Sequence, residues 1–381
     1  MQLLKRKIPT WWLLVLWLVL TVVACIMGNR NGDNNFLIFR QSFWHAFHQL
    51  PLYDAYPQEY LDTNHYGPFF TLLIAPFAVV PKTIGMLLWL VMLTLTLYVA
   101  VRRSLLTVGR QQLLMLFVVN NLYSALLLQQ FNVAVVALLL LSFTCVEKEK
   151  DVMAAFFIAV GFMVKIYGGA GLSFFFFSRH KRRFVLALAG WLLLLFALPM
   201  LYSSPDYIVG QYGAWMESLS TKNGQNIFAF YQNISLLGMV RKMTGCADYS
   251  DLWVAVPGMV LFVLPYLRVR QYAHLAFRWA FLVSALLFII IFSSGSEACS
   301  YIIAMTGVFL WYATVPWKRN GWDVALLVFA LLLSGFGNSD LIPRVVRKTY
   351  IQPYALMALP CTLVWLKLIV EMLTRDYAKR E

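Results

Sequence analysis

Charge is what this chain has least of. Asp, Glu, Lys and Arg make up 13% of its 381 residues, against about 25% in soluble globular proteins, while hydrophobic residues reach 61%. That deficit excludes an ordinary soluble domain, and no polar segment between Trp11 and Val370 is long enough to be a separate one. Cysteines are few and scattered: Cys25, Cys145, Cys246, Cys299 and Cys361 form no CxxC or other metal spacing, which argues against a zinc site or a disulfide framework. Of these, only Cys246 and Cys299 are expected on an oxidising side. GxGxxG, P-loop and HExxH signatures are absent, so there is no case for a soluble nucleotide donor held in the usual way, and no metal ligands are assigned. Self-similarity between the two halves, common in carriers, is missing as well.

What is present is a succession of apolar runs near the ~20 residues that a bilayer crossing needs. The expected fold is an all-α polytopic integral membrane protein, a single transmembrane domain over residues 1–381. A net charge of +14 raises the question of nucleic acid, but the basic residues lie in short clusters between apolar runs, as cytoplasmic loops do, so no nucleic-acid partner is expected. At the amino terminus Lys5, Arg6 and Lys7 precede an apolar run ending Val22-Val23-Ala24-Cys25, which resembles a lipoprotein-type signal peptide. A retained first helix is the simpler reading, since the following segment lands outside in either case.

With both termini cytoplasmic, a first helix over about 10–28 places residues 29–68 outside as a first outer loop. An interfacial segment bracketed by Pro68, Pro76 and Pro81 follows, then helices over about 83–101, 111–128 and 131–146. The run Val152–Phe177 looks like one span, yet basic residues flank both ends. Lys165-Ile166-Tyr167-Gly168-Gly169-Ala170-Gly171 offers a break there, turning the run into a re-entrant hairpin that enters and leaves on one side. A helix over 184–202 leads to a second outer loop, residues 203–251. Spans near 252–267, 275–294, 298–316, 322–337 and 353–370 complete about ten crossings plus the hairpin. Arg344, Arg347 and Lys348 then fall outside, against the usual bias: either one span is miscounted, or these cations hold an anion.

The outer segments carry the chemistry. The first loop holds Asp33, Asp54, Glu59 and Asp62 with His45, His48 and His65, and the short 338–352 loop supplies cations. Carboxylates facing cations suit transfer from a phosphate-linked donor, one deprotonating the acceptor hydroxyl while cations stabilise the departing phosphate. Lys165 at mid-bilayer needs a partner, either a lipid phosphate or a group inside the bundle. Glu297 is a solvated helix-start residue or a cavity-lining one. His45 and His48 have metal-like spacing on a possible helix, but an amphipathic interfacial helix carrying Phe36, Phe39, Phe43, Trp44 and Phe47 explains the same segment.

An ordered set of short motifs resembles glycosyltransferase family 87, the polyprenyl-phosphate-mannose-dependent transferases of the C-type superfamily. The family's Asp-Phe-x-x-Tyr looks like Asn35-Phe36-Leu37-Ile38-Phe39, its Gly-x-x-Leu-Tyr like Pro51-Leu52-Tyr53, and its Tyr-x-Pro like Tyr66-Gly67-Pro68, running on to Ala75-Pro76. Its Gly-Gln-x-Asn looks like Gln129-Gln130-Phe131-Asn132, its lysine before a small-residue break like Met163-Val164-Lys165, and its Asn-x-Ser like Asn233-Ile234-Ser235. The likeness covers most of residues 1–240 and fades thereafter.

The resemblance implies a C-type glycosyltransferase-like helix bundle with outer loops forming the active site, in a bacterial inner (plasma) membrane. It implies inverting transfer of mannose or another hexose from a polyprenyl-phosphate donor to a lipid-linked or glycan acceptor hydroxyl on the outer face, with no cofactor beyond the donor. Substrate-binding candidates are Asn35, Arg40, Tyr53, Tyr66, Gln130, Asn132, Lys165, Asn233, Glu297, Arg344 and Arg347. Where the family has its first-loop Asp this chain has Asn35, which takes no proton. Asp33 or Asp62 then acts as the base, or the protein is not an active transferase. A transporter or flippase for a lipid-linked or anionic substrate is the competing class, and a scaffold role leaves Lys165 without a reason.

Overall fold

The computed structural model describes residues 9–378; the basic clusters Lys5, Arg6 and Lys7 and Lys379 and Arg380 lie outside the described residues. The fold is 74% helix, with no strand among the described residues. The chain packs as two compact units, one from residues up to 169 together with 178–220, the other from residues 170–177 together with those from 221 onward.

Unit 1 contains α1 (Thr10–Asn31), α2 (Asn34–Phe47), α3 (Phe69–Ala78), α4 (Lys82–Arg103), α5 (Val108–Phe117), α6 (Val119–Leu127), α7 (Asn132–Glu147), α8 (Asp151–Val164), α9 (Lys181–Ala197) and most of α10 (Pro205–Gln225). Among the described residues, three helices are long and apolar enough to cross a membrane: Thr10–Arg30, Lys82–Arg103 and Lys181–Leu201. The last leaves Val185, Leu186, Leu193, Leu194 and Leu201 exposed, a surface suited to lipid and costly in water. Helix α4 follows Pro81, is rich in Leu and Met, and ends on Arg102 and Arg103, cations at the negative end of its dipole. It packs on α1, where the hydroxyls of Thr21 and Thr94 meet at 2.8 Å and satisfy each other inside the apolar contact.

Helices expected over 83–101 and 131–146 are α4 and α7. The single helix expected over 111–128 is two, because the chain bends at Val118 between α5 and α6. The interfacial helix expected in the first outer segment is α2, with Phe36 and Phe39 buried and Phe47 exposed. The second outer segment is more ordered than its polarity indicates, since it holds α10 and α11 (Leu236–Thr244).

Val152–Phe177 does break at Lys165. Helix α8 stops at Val164, Lys165 is extended (φ −146°, ψ 122°), and a 3₁₀ stretch, Ile166–Phe177, follows. Residues seven apart in a continuous α-helix sit about 10 Å apart along its axis. Here a Cβ on Gly168 would lie 2.1 Å from the carbonyl carbon of Gly161, so the chain has doubled back on α8. Two glycines allow that approach, and any side chain at Gly168 would block it.

Unit 2 comprises α11, α12 (Leu252–Val263), α13 (Leu275–Ile291), α14 (Tyr301–Ala313), α15 (Gly321–Ala330), α16 (Arg344–Val346) and α17 (Ala358–Thr374), with residues 170–177. Its core is α13, α14 and α17, pinned where the Trp365 indole donates to Ser284 Oγ at 3.0 Å. Arg319 pairs with Glu371 at 2.7 Å under the Trp311 ring, and Asp323 pairs with Lys367 at 3.2 Å beside it. Buried charges tolerated this way are mutually paired, which makes this cluster a fastening rather than a site.

Candidate functional site

The break at Lys165 places its ammonium among polar and aromatic partners. Its Nζ donates to Asn132 Oδ1 at 2.8 Å, and lies 4.7 Å from the Tyr167 ring centre and 5.8 Å from that of Tyr66. Asn132 is fully buried at the first turn of α7, where the chain leaves a tight turn with Gln129 at φ +52°. Lys165 thus meets an amide oxygen and two ring faces, contacts that steady a cation.

Tyr66 reaches this point through the turn it shares with Gly67 and Pro68. The Gly67 N–H donates to the Val164 carbonyl at 3.0 Å, directly before Lys165, and a Cβ on Gly67 would sit 2.1 Å from the Met163 carbonyl oxygen. Only glycine permits the turn to press against the end of α8. The ring of Tyr66 stacks on Phe70 at 4.7 Å and meets Phe39 edge-on at 4.9 Å, each such pair adding about 0.5–1.5 kcal/mol beyond buried area. Its hydroxyl donates to Gln130 Oε1 at 2.9 Å, and its carbonyl accepts from the Tyr53 hydroxyl at 3.0 Å. Burial pushes the Tyr53 hydroxyl well above its ordinary range, so it stays a protonated donor. Tyr53, Tyr66, Gln130, Asn132 and Lys165, scattered over more than a hundred positions of sequence, are one connected network.

The two candidate bases come together through a residue between them in neither role. Asn34, at the start of α2, donates from Nδ2 to the Leu61 carbonyl at 2.6 Å and accepts the Leu61 N–H at 2.7 Å. This double hydrogen bond clamps the turn carrying Asp62 onto the helix start that carries Asp33. The two carboxylates differ. Asp33 Oδ2 is 2.6 Å from Lys82 Nζ, with its side chain 15% exposed. Asp62 is 47% exposed, has a left-handed backbone (φ +70°), accepts the Thr63 N–H at 2.9 Å and lies 3.8 Å from His65 Nε2.

Other candidates have structural partners. Asn35 Nδ2 donates to the Leu128 carbonyl at 2.9 Å, tying α2 to the end of α6. Arg40 donates to the carbonyls of Ala78 and Val80, closing the C-terminal end of α3. His45 faces Glu59 at 2.9 Å and the Tyr56 ring at 4.0 Å, so its helical position serves this loop contact.

In unit 2, Asn233 and Glu297 fall on two segments that meet. Ile234 N–H donates to the Ser296 carbonyl at 2.8 Å, and Gln232 Nε2 to Glu297 Oε1 at 3.3 Å. Asn233, fully buried at φ +52°, accepts from Ser235 Oγ at 2.8 Å, and Ser235 in turn caps α11 by accepting the Gly238 N–H. Half-buried, Glu297 opens the 3₁₀ turn Ala298–Ser300, the helix-start position expected of it. Arg347 is held by Asp340 at 2.8 Å and by the Asn338 carbonyl, and Arg344 is exposed.

Among known protein families, the profile of glycosyltransferase family 87 matches residues 64–294, more than half of the chain. The chain belongs to glycosyltransferase family 87. A search of curated proteins finds no match. As a family 87 glycosyltransferase the chain shares the family pattern from just before Tyr66 to the end of α13, later in both directions than the motif likeness over residues 1–240. Tyr66, Gln130, Asn132, Lys165 and Asn233 lie inside the match; Asn35, Asp33 and Asp62 lie before it, and Glu297, Arg344 and Arg347 after it.

Sequence reasoning about this glycosyltransferase missed the supports. Lys82, Asn34 and the α10 residues Gln211, Trp215 and Ser218 stand in no motif. Gln211 accepts the Leu52 N–H at 2.9 Å, the Trp215 indole donates to the His65 carbonyl at 2.9 Å, and Ser218 Oγ meets His65 Nδ1 at 3.1 Å. Helix α10 is therefore the wall against which the first outer loop is set. Lys242 on α11 was missed too: it donates to the Gln232 carbonyl at 2.9 Å, and burial pushes its ammonium down to about 8. A lone lysine beside Arg241 in the short helix Leu236–Thr244 carries no pattern to find it by.

Proposed function

We propose that this glycosyltransferase transfers mannose or another hexose from a polyprenyl-phosphate donor to a hydroxyl of a lipid-linked or glycan acceptor, at the outer face of a bacterial inner membrane. Lys165 carries the reading. The break in an apolar helix sets an ammonium beside the first-loop turn, and the group in such a donor that a cation would meet is its phosphate. Donor and membrane supply the hydrophobic half of the complex, the polyprenyl chain lying in lipid.

In this reading the acceptor oxygen attacks the anomeric carbon from the face opposite the phosphate, the carbon–oxygen bond to phosphate breaks, and polyprenyl phosphate leaves with inversion. A first-loop carboxylate, Asp33 or Asp62, takes the acceptor's proton. Lys165 stabilises charge gathering on the phosphate, Asn132 and Tyr66 fix the ammonium, and Gln130 and Tyr53 fix Tyr66. The scheme uses no resident cofactor. Arg344, Arg347, Asn233 and Glu297, the remaining substrate-binding candidates, are each to be tested by their own alanine variant.

The test is sugar transfer and donor binding by purified protein in lipid nanodiscs. Lys165→Met keeps the side chain's volume and removes its charge, and a charged hydrogen bond to phosphate contributes about 1.5–3 kcal/mol, so donor affinity should fall roughly tenfold to a hundredfold. Wild-type affinity in this variant would remove the basis of the reading. Movement of intact lipid-linked sugar across the bilayer without transfer would instead favour the flippase, which also needs a broken helix and a buried lysine.

A further inference from the structure

A charged cluster in unit 2 has no part in the reaction described above. Helix α11 turns one face toward the segment before it. A Cβ on Gly238 would lie 1.8 Å from the Asn233 carbonyl oxygen, and one turn along the same face Lys242 Nζ donates to the Gln232 carbonyl at 2.9 Å. That segment is bound in turn to the one carrying Glu297. The Ile234 N–H donates to the Ser296 carbonyl at 2.8 Å, the Ile234 carbonyl accepts from the buried Tyr301 hydroxyl at 2.9 Å, and Gln232 Nε2 reaches Glu297 Oε1 at 3.3 Å. Asn233 holds a left-handed backbone, which persists only where its surroundings impose it. Gln232 is thereby fixed with its carbonyl on the lysine and its amide on the glutamate.

The two charges that meet at Gln232 do not meet each other. Among the described residues Lys242 pairs with no carboxylate, and burial lowers its half-buried ammonium with no neighbouring charge opposing the shift. Glu297, also half-buried, has only neutral donors among the described residues: Gln232 on one oxygen, the Cys299 thiol on the other at 3.3 Å, and the Ser300 N–H in its capping box. Fastenings in this unit are built differently, by direct contact, as Arg319 with Glu371 and Lys367 with Asp323 show. Half-burying opposite charges without joining them costs stability. What it leaves is an ammonium with two further N–H donors and a carboxylate with accepting capacity in hand.

We propose that Lys242, Gln232 and Glu297 form a binding site for a phosphorylated sugar, the Lys242 ammonium taking the phosphate and Glu297 accepting a sugar hydroxyl. A phosphate presents charged acceptor oxygens and suits the ammonium through charge-assisted hydrogen bonds. Sugar hydroxyls are neutral donors, of the kind Glu297 already receives. An anion without a sugar gains Lys242 but meets the nearby carboxylate as a like charge, so the site selects the combination. Helix α11 lies in the second outer segment, on the side where transfer is proposed. Two ligands of that reading carry this chemistry, the lipid-linked sugar donor and an acceptor that is itself phosphorylated. Assigning the site to one of them rests on the transferase reading; the binding site itself does not.

Binding decides first, without turnover. Purified protein in nanodiscs is titrated with a hexose monophosphate, with the free hexose and with inorganic phosphate. The hexose phosphate should bind more tightly than either part; Lys242→Met should weaken it about tenfold or more, and Lys242→Arg, which keeps the charge, should retain it. Glu297→Gln separates the two halves. It should weaken the hexose phosphate yet leave inorganic phosphate unchanged or tighter, because a negative charge is removed, a split that a misfolded protein would not give. Wild-type affinity for hexose phosphate in Lys242→Met, or equal affinity of the wild type for hexose phosphate and inorganic phosphate, would overturn the site. In the transfer assay Lys242→Met should raise KM for the donor if the lipid-linked sugar is the ligand, and for the acceptor if that is the ligand. Unchanged KM for both would overturn the site's place in the transferase. A wild type inert with every polyprenyl-phosphate sugar would instead remove the transferase reading, and the titrations would still decide the site.

Discussion

Gly67 is the residue on which the most geometry turns. Its N–H ties the first outer loop to the last residue of α8, and the space where a Cβ would go is filled by the Met163 carbonyl at 2.1 Å and the Trp215 ring at 3.0 Å. Backbone at one side and a buried indole at the other leave little room to adjust. Gly67→Ala is therefore expected to destabilise by about 1–3 kcal/mol and to pull Tyr66 away from Lys165. The check pairs a thermal melt in nanodiscs with donor binding: a variant that melts and binds like wild type would show that the turn does not set the ammonium's surroundings. This residue was legible as part of Tyr66-Gly67-Pro68, but only as a motif position. Its physical reason, a close approach between segments about a hundred residues apart, is a property of the fold that local sequence does not carry. Asn34 illustrates the same limit, for its partners are the carbonyl and N–H of Leu61, and backbone leaves no signature in the sequence.

At the scale of elements, amphipathic spacing made α2 foreseeable and the glycines after Lys165 made the break foreseeable, because both arise from local chemistry. The division of α5 from α6 was not, since no Pro or Gly stands at Val118 to mark the bend. Nor was α10, a helix of 21 residues whose polarity hid it. Helix α2 and the segment after it are also where pH should act. Burial holds the His45 imidazole below its ordinary value, and contact with Glu59 only partly offsets this; His48 adds to the lowering, and Tyr56 and Tyr60 cover the ring. The unfolded loop thus binds a proton more readily than the folded one. Stability from this contact is fully present above the ordinary histidine value of about 6.5 and is lost as pH falls through that value toward the lowered one. Amide exchange over residues 48–60, corrected for intrinsic rates, should accelerate between pH 7 and pH 5 in wild type and much less in His45→Gln. Equal acceleration in both would assign the effect to another group.

For the molecule as a whole, the membrane class followed from composition alone, and the fold bears it out in helices that present leucine and valine outward. Sidedness rests on the distribution of charge. Residues 179–183, Arg-His-Lys-Arg-Arg, lead into α9, and five basic side chains in a row are expected on the cytoplasmic side. The polar, aromatic stretch between α2 and α3 is then expected on the opposite side of unit 1. Thiol labelling of intact cells with an impermeant reagent tests this, and the chain already carries a reporter. Cys246 is exposed, while Cys25, Cys299 and Cys361 are buried, so wild-type protein should react from outside at Cys246. In a Cys246→Ser background, a cysteine at Gln58 should label from outside and one at Arg182 only after the cells are opened. The reverse pattern would invert the layout and put the carboxylates of the first loop in the cytoplasm, where a donor presented at the outer face would never meet them.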